Sequence, residues 1–294
     1  MDEKDEFREQ FIDAAVDEGI AQEYADGYYN LIFELATALV SRGDRELTIL
    51  GVSGAQGTGK STFAKLLAVV LERVFEKASL VMSLDDFYYT KAERERLATS
   101  VHPLLRVRGV PGTHDVPLLR RVIKNLQQRR STEVPVFDKA ADDREGTVPV
   151  MGRDLEVLVI EGWCWGALPS VATDLEKPIN RLEAEQDPDG TWRRYVNRQL
   201  AEGGYQEAFK QASTCFFFAA PDFETVFEWR WQQEQQLARR SSGAAIMTRE
   251  QVREFVMYFE RISRQMLKDL PEHANLTIFL DKDHRVARPP GRKR

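Results

Sequence analysis

Cysteine is scarce in this chain: Cys164 and Cys215 are the only two among 294 residues. Two thiols cannot build a disulfide framework, and both sit in apolar surroundings, so buried free thiols are expected. Long hydrophobic runs are also missing. None approaches the roughly 20 residues that a membrane-spanning helix needs. There is no internal repeat and no low-complexity segment. An excess of positive charge is absent too: the net charge is −6, which argues against a nucleic-acid binder. The exception is the basic tail of Arg285, Arg288, Arg292, Lys293 and Arg294, broken by Pro289-Pro290-Gly291. It reads as a solvated terminus, with an electrostatic binding arm as the other reading. The opening Met1-Asp2-Glu3-Lys4-Asp5-Glu6 is charged and acidic, unlike a secretory signal. A cytoplasmic protein is expected, a monomer or small homo-oligomer acting on a small molecule, with neither nucleic acid nor membrane as partner.

What the chain does have is a balanced composition, 43% hydrophobic and 30% charged, enough for a substantial core without staples. It also has one glycine-rich run. Gly54-Ala55-Gln56-Gly57-Thr58-Gly59-Lys60-Ser61 fits the phosphate-loop pattern G-x-x-x-x-G-K-S/T, and Thr62 follows. Each element has a mechanical task. The glycines let backbone N–H groups turn inward around anionic phosphates. Lys60 reaches the terminal phosphates, and the Ser61 hydroxyl can ligate Mg²⁺ that travels with them. The following helix aims its positive N-terminus at the same charge. The flanks agree with this reading. Residues 47–52 are a short apolar run suited to a buried parallel strand, and apolar residues recur at helical spacing after Thr62. Residues 54–62 are therefore expected to hold ATP.

The rest of the chain alternates. Residues 5–42 read as helical, with two apolar stripes. Strands are expected near 47–52, 79–84, 154–160, 214–219 and 276–280, with a short strand or extended segment at 134–137. Helices are expected near 60–77, 91–99, 116–130, 222–240 and 248–269, and over 178–211 with a break at 187–190. Residues 100–117 form a loop rich in Pro and Gly. Short apolar strands separated by helices imply an α/β fold, a parallel sheet of the P-loop NTPase type covered on both faces. The division expected is an N-terminal helical extension at 1–46, a P-loop core at 47–284 and a flexible basic tail at 285–294.

In such a sheet, ligands sit at the carboxyl ends of the strands. The first strand delivers the phosphate loop, the second Asp85-Asp86-Phe87-Tyr88, and the third Glu161-Gly162-Trp163. A carboxylate near a transferring phosphate repels it and needs a purpose. It can hold Mg²⁺, or it can accept a proton from an attacking hydroxyl. Asp85 suits the second role and Glu161 the first. The structural alternatives are a helix N-cap for Asp85 or Asp86 and a hydrogen bond to a neighbouring turn for Glu161. The loop 106–115 carries Arg108 and His114 and can wall an anionic acceptor, or it is a surface turn with a cap at Asp115. The segment 135–144 offers Lys139 and Arg144 as partners for a carboxylate. Asp86 and Tyr88 belong to the same acceptor wall. Arg230 lies on a helix that can act as a lid and bring an arginine to the transferred phosphate, with Arg239 and Arg240 further along as weaker candidates; a solvated face is the other reading for each. Trp229 and Trp231 read as packing residues.

Taken in order, the phosphate loop, Ser83-Leu84-Asp85-Asp86-Phe87-Tyr88, Arg108-Gly109-Val110-Pro111-Gly112-Thr113-His114-Asp115, Pro135-Val136-Phe137-Asp138-Lys139 and Ile160-Glu161-Gly162-Trp163 resemble a known group. The chain is similar, over residues 47–283, to the D-glycerate 3-kinase family, within the phosphoribulokinase, uridine kinase and pantothenate kinase group. By that resemblance Asp85 matches the catalytic-base position and Glu161 the strand-end acid. Arg144 falls where uridine kinases place a substrate-contacting arginine, and Asp281, with Asp283, falls near the adenine seat. The resemblance implies ATP and Mg²⁺, and transfer of the γ-phosphate to a hydroxyl of D-glycerate. The alternatives are another acceptor (a nucleoside, pantothenate or a sugar) and a nucleotide-dependent regulatory ATPase that needs no acceptor base.

Overall fold

The computed structural model describes residues 3–41, 46–240, 246–287 and 291–292. Its centre is β1 (Thr48–Gly54), whose residues are buried from Ile49 onward. Parallel strands β5 (Val157–Gly162) and β6 (Thr214–Ala219) pair with it on either side. β2 (Ser79–Ser83) pairs outside β5, β7 (Leu276–Phe279) outside β6, and β8 (Gly291–Arg292) adds an antiparallel edge. The order among the described residues is β2-β5-β1-β6-β7-β8. The register matters for function. Ser83 and Val52 both sit opposite Glu161, so the carboxyl ends of three strands reach one level.

Side-chain alternation splits the core into two layers. Ile49, Leu158, Ile160 and Phe217 face one side, with helices α5 (Val116–Gln127), α7 (Thr191–Glu202), α8 (Tyr205–Phe209) and much of α10 (Arg249–His273). Leu50, Val52, Val159, Phe216 and Phe218 face the other, against α3 (Lys60–Arg73) and α9 (Phe223–Arg240). The N-terminal region packs on this second layer. It is two helices, α1 (Glu3–Asp17) and α2 (Gln22–Ser41), one for each apolar stripe; Gly19 turns the chain between them at φ 73°. Phe11, Tyr28, Tyr29 and Ile32 are buried there with Phe63 and Leu66 of α3. Lys65 Nζ donates to the Glu18 carbonyl at 2.9 Å, fixing the corner.

Two expectations are refined. The short strand expected at 134–137 is present. It lies in β3 (Thr132–Asp138), which forms an antiparallel hairpin with β4 (Asp143–Val150). β4 escapes a reading by alternation because most of its residues are exposed and it contains Gly146 and Pro149. The expected helical span over 178–211 resolves into α6 (Arg181–Gln186), α7 and α8. Cys164 is buried, whereas Cys215 is only partly covered; both are free thiols. No described helix is long and apolar enough to cross a membrane. Of the expected basic tail, Arg288, Lys293 and Arg294 lie outside the described residues.

Candidate active site

The phosphate loop leaves β1 and enters α3 through Gly54, Gly57 and Gly59. Gly57 has φ 84°, and a Cβ there would lie 2.8 Å from Trp229 Cβ. Gly59, the cap of α3, has φ 82°, and its carbonyl accepts from the Tyr24 hydroxyl at 2.9 Å. Both angles are in the left-handed region that glycine tolerates. Thr58 Oγ1 donates to the Ala55 carbonyl at 2.8 Å and closes the turn from inside. No side chain caps α3, and its first turn carries no acidic residue. Its free amides and positive end are thus arranged for an anion.

Beyond the loop opens a cleft of about 450 Å³. Gln56, Gly57, Lys60 and Ser61 form one wall, and Asp85, Tyr88, Arg108, Lys139, Glu161 and Arg230 complete it. Gln233, Glu234, Leu237, Phe255 and Phe259, from α9 and α10, also line it; sequence reasoning did not single them out, because nothing in a charged amphipathic helix marks which turn covers a site.

The two carboxylates stand in different settings. Glu161 Oε1 accepts from Ser61 Oγ and Ser83 Oγ, each at 3.0 Å, and its Oε2 lies 3.8 Å from Lys60 Nζ. Asp85 Oδ1 accepts from the Tyr88 hydroxyl and Oδ2 from Lys139 Nζ, each at 2.7 Å. Burial would push the Asp85 carboxyl up. The Lys139 ammonium, the Tyr88 hydroxyl and Lys60 outweigh it, and the carboxyl is held below its ordinary range. Neither Asp85 nor Asp86 caps a helix. Ser83 caps the short turn over 84–87, and Thr90 caps α4 (Lys91–Ser100).

Several expected acceptor residues stand behind the cleft rather than in it. Asp86 accepts from the Phe137 backbone N–H at 3.4 Å, joining its turn to β3. His114 is buried behind Tyr88, with ring centroids 4.6 Å apart, and its Nδ1 pairs with the Tyr205 hydroxyl at 2.8 Å. Burial lowers its pKa to about 4, more than nearby Asp85 restores, so the ring is neutral at physiological pH. It buttresses Tyr88 and supplies no cation. Arg144 Nε donates to the Tyr88 carbonyl at 2.8 Å, and its Nη2 lies 3.2 Å from Asp115, which caps α5. That arginine ties the hairpin to the loop. Asp281 is occupied in a turn, its Oδ1 accepting from the N–H groups of Asp283 and Arg285 at 2.9 Å each. Arg230 does face the cleft, paired with Glu234 at 2.7 Å on the same helix.

Sequence reasoning missed three supports. Tyr205 holds both His114 and the Gly112 N–H. Asp142 pairs with Arg108, and with Arg94 at 3.0 Å. Arg94 is buried and also donates to the Tyr89 carbonyl at 3.2 Å. A lone buried arginine has no local signature in a sequence.

The sequence signature described as "Phosphoribulokinase / Uridine kinase family" matches residues 49–236. The chain belongs to that family. An uncharacterized kinase of Schizosaccharomyces pombe, mug58, is 34% identical over 222 residues, covering 72% of this chain and 78% of that one. The chloroplastic D-glycerate 3-kinase of Arabidopsis thaliana is 30% identical over 221 residues, 71% of this chain but 45% of that longer protein. In three dimensions, D-glycerate 3-kinase from Cryptococcus neoformans superposes with a TM-score of 0.73 at 24% identity, over 89% of this chain and 99% of that one. That likeness shows the fold. The kinase is a P-loop enzyme of small-molecule type that uses ATP.

Proposed function

We propose that this kinase transfers the γ-phosphate of ATP to a hydroxyl of D-glycerate. One observation carries the reading. A single cleft joins the phosphate loop, an ionised aspartate and two cations, Arg108 and Lys139, suited to an acceptor's carboxylate. The Arabidopsis relative named for D-glycerate supports the choice of acceptor.

Phosphoryl transfer asks little covalent chemistry of the protein; positioning and charge dispersal supply most of the acceleration. Asp85 accepts the proton of the acceptor hydroxyl as that oxygen attacks the γ-phosphorus. Lys60 and the backbone amides of residues 54–62 hold the phosphates, and Arg230 disperses charge from the lid side. Ser61 and Glu161 form a hard-oxygen pair suited to Mg²⁺, already joined at 3.0 Å. Among the described residues no group of three or more His, Cys, Asp or Glu side chains converges as a metal cage. Such a sparse donor set fits an ion that arrives with a nucleotide and keeps most of its waters. When bound, Mg²⁺ neutralises charge on the β- and γ-phosphates.

An acceptor screen tests the reading. D-Glycerate, nucleosides and pantothenate are each incubated with the enzyme and ATP, and the products are identified by mass. Phosphoglycerate is expected. Phosphorylation of a nucleoside or pantothenate in its place reassigns the acceptor, and ATP hydrolysis indifferent to every acceptor removes the kinase reading in favour of a regulatory ATPase.

A pH profile gives a second test. The acid limb of kcat/KM reports the free enzyme, in which Lys139 holds Asp85. Because that pKa is depressed, the base stays ionised as pH falls. Protonation of Asp85 should therefore cost activity only beneath the ordinary aspartate value of about 3.9. An acid limb above that value that protonation of Mg·ATP or D-glycerate does not account for contradicts the assignment.

A further inference from the structure

We infer that Lys139 couples acceptor binding to release of the base: an anionic acceptor draws Lys139 away from Asp85 and thereby frees the oxygen that takes the hydroxyl proton. This rests on the kinase reading above and adds a reason why water does not replace the acceptor.

The inference follows from how the cations of the cleft are committed. Arg108 is paired with Asp142 and Arg230 with Glu234. Lys60 lies beside Glu161 and belongs to the phosphates. Lys139 pairs with the base itself. An acceptor carboxylate that engages Lys139 therefore competes directly with Asp85.

The two partners of Asp85 differ in mobility. Tyr88 is buried, packed at a tilt against His114 and set edge-on to Phe137 at 5.2 Å, so its bond to Oδ1 is fixed. Lys139 follows the end of β3 on the hairpin connection, and its side chain is 62% exposed. Its long stem lets the ammonium move at little cost, so Oδ2 is the oxygen that can be uncovered.

The step then balances. The acceptor hydroxyl gives its proton to Asp85 Oδ2 as its oxygen bonds to the γ-phosphorus. The bond from that phosphorus to the β,γ-bridging oxygen breaks, and ADP leaves with the electron pair. With no anionic acceptor, Lys139 keeps Oδ2 covered and a water in the cleft finds no base. Recruitment of Lys139 thus selects for acceptors that carry a negative charge near the hydroxyl.

The test uses the whole 294-residue chain and follows ADP release with and without D-glycerate. In Lys139→Met, acceptor-independent ATP hydrolysis should rise by roughly tenfold or more, since a freed general base contributes about 10²–10⁴-fold when well placed. In the same variant KM for D-glycerate should rise roughly 10- to 100-fold, the worth of one charged hydrogen bond. Lys139→Arg keeps the charge and should keep hydrolysis low. Adding Asp85→Asn to Lys139→Met should return hydrolysis to the wild-type level. The inference is overturned if Lys139→Met raises KM without raising hydrolysis, if Lys139→Arg uncouples equally, or if the extra hydrolysis survives loss of Asp85. Each of these leaves glycerate phosphorylation by the wild type intact. Failure of the wild type to phosphorylate any acceptor instead removes the kinase reading and this inference with it.

Discussion

Asp85→Asn should lower kcat by roughly 10²- to 10⁴-fold, the usual contribution of a positioned general base, while Mg·ATP binding stays nearly unchanged. Asparagine has the same shape, and its carbonyl can still accept from Tyr88 at the position of Oδ1. Lys139 loses a partner, but it is largely exposed and returns to water, so little stability is at stake. In the proposed mechanism the phosphates lie on the loop and α3, neither of which contains Asp85. Removing a negative charge from the cleft, if anything, favours the anionic nucleotide. What disappears is the ability to take a proton. Steady-state turnover with acceptor, paired with calorimetry for Mg·ATP, separates the two. Near-normal turnover in Asp85→Asn removes that residue from the role.

Trp229→Ala should have the largest effect on stability, about 3–5 kcal/mol, as for other large aromatic truncations in a core. Trp229 is 1% exposed. Its indole N–H donates to the Lys282 carbonyl at 2.9 Å, and its ring stacks on His284 at 4.2 Å. Its Cβ backs Gly57 in the phosphate loop. The indole thus joins α9 to the turn after β7, and through His284 to the Gly57 backbone of the phosphate loop, and truncation leaves a cavity where they meet. The melting temperature should fall on the order of 10 °C. Mg·ATP affinity should fall with it, because the ring that stacks on His284, whose imidazole bonds to the Gly57 backbone, is gone. A melting temperature within a degree or two of wild type contradicts this placement, given the roughly 2–4 °C expected per kcal/mol in a chain of this size.

The parts of this molecule that were legible in its sequence are those governed by local rules. The phosphate loop could be read because its glycines, lysine and serine have fixed spacing and a strand and helix flank it. The parallel strands could be read because burial on both faces makes them continuous apolar runs. Asp85 and Glu161 could be placed at one crevice because carboxyl ends of parallel strands converge. The rest depends on long-range packing. His114 looked like a cleft residue because a histidine beside glycines is compatible with either face of a loop; only the Tyr205 hydroxyl, 91 residues away, shows it turned inward. Arg144 looked like a substrate contact, yet its guanidinium is tied to the Tyr88 carbonyl and to Asp115. The β3–β4 hairpin escaped notice because its outer strand lies mostly in solvent and carries no alternation to read. Trp229 could be recognised as packing, but not as the backing of Gly57, since that contact crosses 172 residues of chain.

The central claim is that the γ-phosphorus of ATP is delivered to an alcohol and not to water. Phosphorus NMR of a mixture of enzyme, Mg·ATP and D-glycerate follows that atom directly. A phosphomonoester signal should grow in step with ADP and be absent when D-glycerate is omitted. If ADP accumulates at the same rate with and without D-glycerate, and the only new signal is inorganic phosphate, the claim is contradicted.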